Sequence, residues 1–145
     1  MQTYPKKPSP CTCLNLRRAS RAITAYYDHY LQPSGLSVSQ LTLLRHIIFY
    51  KSVTMTRLAA QMRIDRTTLN RNLKPLAEQG LLEIIPGKDS RTKLICLKPK
   101  GEKKLQEALV LWEQVQKTVR EYLGPDDADK LTDLTTKIEA LVPEI

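Results

Sequence analysis

Thr67, Asn70, Arg71 and Lys74 stand three, four and seven residues along from the first of them, with Arg66 and Thr68 beside it. If the segment is helical, one face carries nearly the whole set. Those side chains suit the edges of base pairs. Arginine can donate two parallel bonds to guanine, asparagine can pair with adenine in the same way, and threonine fits a thymine methyl or a phosphate. A major groove admits one α-helix, and free amides at a helix start hold phosphate. The plain alternative is a solvated helix face, but such faces usually mix both signs of charge. Here no acid occurs between Arg66 and Pro75.

A second basic group surrounds the segment Pro86-Gly87-Lys88-Asp89-Ser90-Arg91. Lys88, Arg91 and Lys93 would place cations on a hairpin tip long enough to reach a neighbouring minor groove. Asp89, two residues before Arg91, is placed to orient its guanidinium through a charge-assisted bond. The plain alternative is an ordinary charged turn. Other chemistry is poorly supplied. There is no glycine-rich phosphate loop, no pair of acids in a foreseeable cleft and no nucleophile with a placed histidine, so no enzyme and no cofactor are expected. Cys11 and Cys13 lack a nearby histidine, since His29 and His46 lie far along the chain, and two thiolates do not complete a tetrahedral metal site.

Periodicity predicts the elements that must position these groups. Cys13, Leu16, Ser20, Ile23, Tyr27 and Tyr30 mark one face of a helix running to about Gln32, broken by Pro33-Ser34-Gly35. Ser37 with Gln40 reads as a capping box opening a second helix with Val38, Leu41, Leu44 and Ile48 inward. Thr54 would cap a short helix carrying Leu58, Ala59 and Met62. After a two-residue gap, Asp65 would cap the next helix, which turns Leu69, Leu73 and Leu76 inward. That helix contains Pro75, where a bend is expected, and stops at Gly80. The period then becomes two, giving strands over 81–85 and 93–97. A long helix follows from Lys100 with Leu105, Leu109, Trp112, Val115, Val119 and Leu123 on its face. After Gly124-Pro125 a last helix carries Leu131, Leu134, Ile138 and Leu141.

This order predicts a mainly α fold with a small β-hairpin wing, a winged helix-turn-helix. The single domain of 145 residues divides into a loose arm (1–10), a winged-helix core (37–98), and helices for dimerisation (11–36 and 99–145). Helices over 14–32, 100–123 and 127–142 carry more apolar residues than so small a core covers. An obligate homodimer through the N- and C-terminal helices is therefore expected. It would set two reading helices about 34 Å apart on a pseudo-palindromic duplex. The net charge of +8 is uneven: 13 basic and 5 acidic residues in 51–104 give +8, while 4 basic and 9 acidic residues in 105–145 give −5. A basic middle points to a polyanion such as double-stranded DNA. A merely soluble basic protein, or a module binding another protein, is the competing reading. No apolar run of membrane-spanning length and no secretory signal are seen, so a cytoplasmic setting with mostly reduced cysteines is expected.

The stretch 58–82, followed by Asp89-Ser90-Arg91-Thr92-Lys93 and Leu97-Lys98-Pro99-Lys100-Gly101, resembles the MarR family of bacterial regulators over roughly residues 14–142. The matching features are the Asp-Arg-Thr-Thr helix start, the Gly-Leu turn into the wing, the Asp-x-Arg tip and the glycine opening the long helix. Lys98 stands where the family has threonine, which weakens one helix cap. The resemblance implies an interlocked dimer that represses promoters and is released by a small molecule or an oxidant. Cys13 is spaced from Tyr27 much as the peroxide-sensing cysteine of the family's organic-hydroperoxide regulators is from its tyrosine, although that sensor's second tyrosine is replaced here by Arg17. Arg17 and Arg18 put positive charge near the thiol, a setting in which thiolates react. Cys13 as a small interface residue, with Cys11 incidental, is the alternative. The competing switch is a small aromatic effector held by Arg17, Tyr26, Tyr27, Tyr30, His46 and Trp112, although aromatics at helical spacing more often form core.

Overall fold

The computed structural model describes residues 6–89 and 91–143. Residues 1–5 of the expected arm, Ser90 in the wing tip and the last two residues lie outside the described set. Helix α1 (Thr12–Leu31) ends in a single 3-10 turn, Gln32–Ser34, and Gly35 takes φ 76, a left-handed conformation that a side chain would strain. Helix α2 (Val38–Tyr50) opens with the full capping box: Ser37 Oγ accepts from Gln40 N–H at 3.1 Å, and Gln40 Oε1 accepts from Ser37 N–H at 3.0 Å. Strand β1 (Ser52–Thr54) leads directly into α3 (Met55–Met62), where Thr54 Oγ1 accepts from Arg57 N–H. Helix α4 (Arg66–Glu78) is followed by β2 (Leu82–Pro86) and β3 (Lys93–Leu97), then α5 (Pro99–Leu123) and α6 (Pro125–Glu139).

The close of α4 is a Schellman motif. Gly80 N–H donates to the Ala77 carbonyl and Leu81 N–H to the Leu76 carbonyl, both at 3.0 Å, with Gly80 at φ 73. Leu76 and Leu81 are both buried, which supplies the apolar contact of that motif. Pro75 sits inside the helix, and the helix continues past it to Glu78.

The three strands form one antiparallel sheet in the order β1-β3-β2. Ser52, Val53 and Thr54 face Cys96, Ile95 and Leu94, while Leu82 through Pro86 face Leu97 through Lys93. Strand β1 is absent from the sequence reading, and β2 begins at Leu82, one residue later than expected. The core gathers Leu41, Leu44 and Ile47 of α2, Leu58 of α3, Leu69, Leu73 and Leu76 of α4, Ile95 of β3 and Leu105 of α5. Each buried leucine contributes about 1.5–3 kcal/mol, which anchors α4 against α2, α3 and the sheet. Gly101 lies at the start of α5, where a β-carbon would overlap the Leu81 carbonyl oxygen.

The expected α2 face is corrected, and burial on the other helices is that of the single protomer. In α2 the fully buried set is Leu41, Leu43, Leu44 and Ile47, with Val38 and Ile48 only half-buried, because the helix is covered from more than one side. In α1, Cys13, Ser20 and Ile23 are exposed, and Leu31 is its one buried residue. In α5 the buried positions are Gly101, Leu105, Ala108 and Val115. Helix α6 starts at Pro125, ahead of Asp126 and Asp127, and buries nothing: Leu131 and Leu134 are 42% and 47% exposed. No helix among the described residues is long and apolar enough to cross a membrane.

Candidate nucleic-acid interface

Helix α4 begins where Arg63, at φ 55, and Ile64 turn the chain out of α3. Asp65 caps the new helix: its Oδ1 accepts from Thr68 N–H at 2.7 Å and its Oδ2 from the Thr68 hydroxyl at 3.1 Å. With Leu69, Leu73 and Leu76 buried, Arg66, Thr67, Asn70, Arg71 and Lys74 are all exposed, on the face the spacing predicts. Thr68 is half-buried, and its hydroxyl is already given to Asp65. Its part in the interface is thus to shape the helix start.

The hydrogen bonds from Thr68, its backbone N–H first, hold the Asp65 carboxyl below the ordinary carboxylate range, helped by the nearby Arg71 charge. A depressed folded-state pKa contributes stability above the unfolded value, and that stability is lost as pH falls through the folded one. Asp65→Ala should therefore lower the melting temperature by a few degrees at neutral pH. Its further loss on acidification below about pH 4 should be shallower than in the parent. Melting curves of both proteins across that range check this.

The wing carries its cations outward: Lys88, Arg91 and Lys93 are all exposed. Asp89 does not engage the Arg91 guanidinium. Its Oδ1 accepts from the Arg91 backbone N–H at 3.2 Å, while Thr92 N–H donates to the Asp89 carbonyl and Gly87 N–H to the Thr92 carbonyl. A short side chain is used up in closing the turn, so it is not available to the guanidinium.

The start of α2 faces the reading helix. Ser37, Ser39, Gln40 and Leu43 face Arg71, Asn72 and Pro75 across a cavity of about 190 Å³. Sequence spacing carries no sign of this neighbour, because the two segments are joined only through the tertiary fold.

The expected effector residues make the following contacts. Tyr26 and Tyr30 lie with ring centroids 5.2 Å apart and their planes tilted by 49°, and the neighbouring Tyr30 hydroxyl raises the Tyr26 pKa. Tyr27 donates to Gln116 of α5, with its pKa pushed up by burial. Trp112 lies under the Arg45 guanidinium, 4.8 Å from its centroid. His46 Nδ1 lies 2.8 Å from the Thr42 carbonyl, which requires the proton on that nitrogen. Arg17 is exposed. Cys11 and Cys13 are exposed at the start of α1, so Cys13 is not buried within the protomer. Cys96 in β3 is half-buried beside Glu83, and burial raises its pKa.

A helix pair, a reading helix whose outer face carries no acid from Arg66 to Pro75 and a basic hairpin define a winged helix-turn-helix protein. Residues 34–91 match the sequence profile of the MarR family. YwoH of Bacillus subtilis, an uncharacterized HTH-type transcriptional regulator, is 28% identical over 92 residues, 63% of this chain and 67% of that protein. The M. tuberculosis transcriptional regulator MosR, solved in complex with DNA, is 38% identical, with a TM-score of 0.79 over 90% of this chain and 98% of that one. BpsR of Bordetella bronchiseptica, whose DNA binding is regulated by 6-hydroxynicotinic acid, shares the fold at 21% identity with a TM-score of 0.81, over 94% and 99% of the two chains. The chain belongs to the MarR family of DNA-binding transcriptional regulators.

Proposed function

We propose that this protein is a cytoplasmic repressor that binds a pseudo-palindromic operator as a two-fold dimer. The observation that carries the reading is the exposed face of α4, where Arg66, Thr67, Asn70, Arg71 and Lys74 stand clear of the core with no acid among them. These residues read bases and phosphates in the major groove, while Lys88, Arg91 and Lys93 of the wing meet the adjoining backbone or minor groove. The winged-helix core (37–98) does the reading and the flanking segments (11–36 and 99–145) pair the protomers. Pairing is supported by the bare apolar positions of α6, Leu131, Leu134 and Ile138, which a second copy would cover. The relative MosR is known in complex with DNA. Arg91→Ala should weaken binding and make it less salt-dependent, as loss of one phosphate contact does. Titrations at several salt concentrations check this, and an unchanged slope removes the wing from the contact set.

Release is assigned to oxidation at Cys13, supported by the exposure of Cys13 and Cys11 at the start of a frame helix. A small effector among Tyr26, Tyr27, Tyr30, His46, Trp112 and Arg17 is the second reading, favoured by the regulation of BpsR. The deciding experiment titrates the protein against duplex DNA from upstream of its own gene, with and without peroxide and reductant. Cys13→Ser should bind as the parent does but no longer be released by peroxide. Release that persists in this variant rules out Cys13, and failure to bind any duplex overturns the regulatory reading.

A further inference from the structure

The capping box at the start of α2 leaves the amides of Val38 and Ser39 over. A helix opens with several N–H groups that have no partner inside it. Here Ser37 and Gln40 satisfy each other's amides, and the Val38 N–H is taken by Asp28, whose Oδ1 lies 2.7 Å away on α1. Asp28 is half-buried, and its charge sits at the positive end of the α2 dipole. The bond therefore joins two parts with different work. Helix α1 belongs to the frame that sets one protomer against the other. The first turn of α2 faces Arg71, Asn72 and Pro75 of the reading helix across the small cavity described above. Among the described residues the other polar tie of α2 to the frame, Arg45 over Trp112, is made by an exposed arginine farther along the helix. Asp28 grips the end nearest the DNA-facing residues.

We propose that Asp28 is a positioning residue for DNA recognition: by holding the first amide of α2, it fixes the angle of the reading lobe on the frame and hence the half-site spacing that the dimer accepts. This rests on the dimeric reading above. Asp28 touches no base or phosphate. Its loss frees the lobe to swivel, so the protein still binds DNA but becomes tolerant of spacing.

The test uses the full chain and a duplex selected by the parent protein from a random pool, with versions one base pair longer and shorter between half-sites. The parent should discriminate against the altered spacings by about tenfold or more. Asp28→Ala should reduce this to about twofold, with affinity for random-sequence duplex unchanged. Asp28→Asn keeps an accepting oxygen and should retain most of the discrimination. Val38→Pro removes the donor itself while suiting the first helical position, because Ser37 is already extended. It should match Asp28→Ala, and the double variant should be no worse than either single one. It also stands in if Asp28→Ala fails to fold. Parent-like discrimination in both variants overturns the proposal, as does a loss of affinity equal on every duplex. A parent that selects no two-part site overturns the dimeric reading, and this inference with it.

Discussion

Arg71→Ala is expected to lower affinity for the selected operator by about 1–3 kcal/mol and to relax the sequence requirement at one position of each half-site. Arg71 projects from the middle of α4, and the Pro75 ring lacks the N–H that would otherwise bond its carbonyl. Its guanidinium can present two parallel donors to one guanine, which a lysine ammonium cannot reproduce. Arg71→Lys should therefore recover charge-driven binding without recovering the lost base preference. Lys74→Ala makes the contrast: a phosphate contact should weaken all duplexes alike. Competition titrations against operators substituted one base pair at a time separate the cases. If the Arg71→Ala profile matches the parent at every position, α4 is not the reading helix.

Gly101→Ala should destabilise the fold by about 1–3 kcal/mol or more, with operator binding lost in proportion to the unfolded fraction. The new β-carbon would meet backbone, the Leu81 carbonyl, which already accepts from Lys98 N–H at 2.9 Å. Leu81 cannot retreat. Its own N–H is bound to Leu76, and its side chain is fully buried. Gly80→Ala is the informative partner. Nothing stands near a β-carbon there, and only the left-handed φ of 73 opposes it, worth about 1–2 kcal/mol. Thermal unfolding of the two variants distinguishes crowding from conformation. Equal stability of Gly101→Ala and the parent would refute the close packing of α5 on the turn before β2.

Much of this was legible in local chemistry. Ser37, Thr54 and Asp65 announce their helices because an N-cap needs only a side-chain oxygen and an amide a few residues on. Gly80 announces the end of α4 for an equally local reason. The glycine opening the long helix was visible as a motif, but its cause was not, since the obstruction is a carbonyl twenty residues earlier in the chain. Strand β1 escaped notice because three residues, Ser52 to Thr54, carry no periodicity, and the partner strand lies far along the sequence. The α2 face was misassigned for a different reason. Leu43, Leu44, Ile47 and Ile48 are all apolar, so a three-and-four rule cannot choose among them when the helix is covered from several directions. Asp28 offered no signal, because its partner is a backbone amide that no side-chain pattern reveals. For Asp89 the residue was right and the acceptor's target wrong.

The sheet order has a consequence for how the molecule assembles. The hairpin β2–β3 joins neighbours in sequence and can close early, whereas β1 must find Leu94 to Cys96 across the whole of α3 and α4. Closing that larger loop carries an entropic penalty that local turns do not. A chain emerging from the ribosome thus cannot finish the reading lobe until β3 has been synthesised, and a message truncated before residue 97 would yield helices with no completed sheet to seat them.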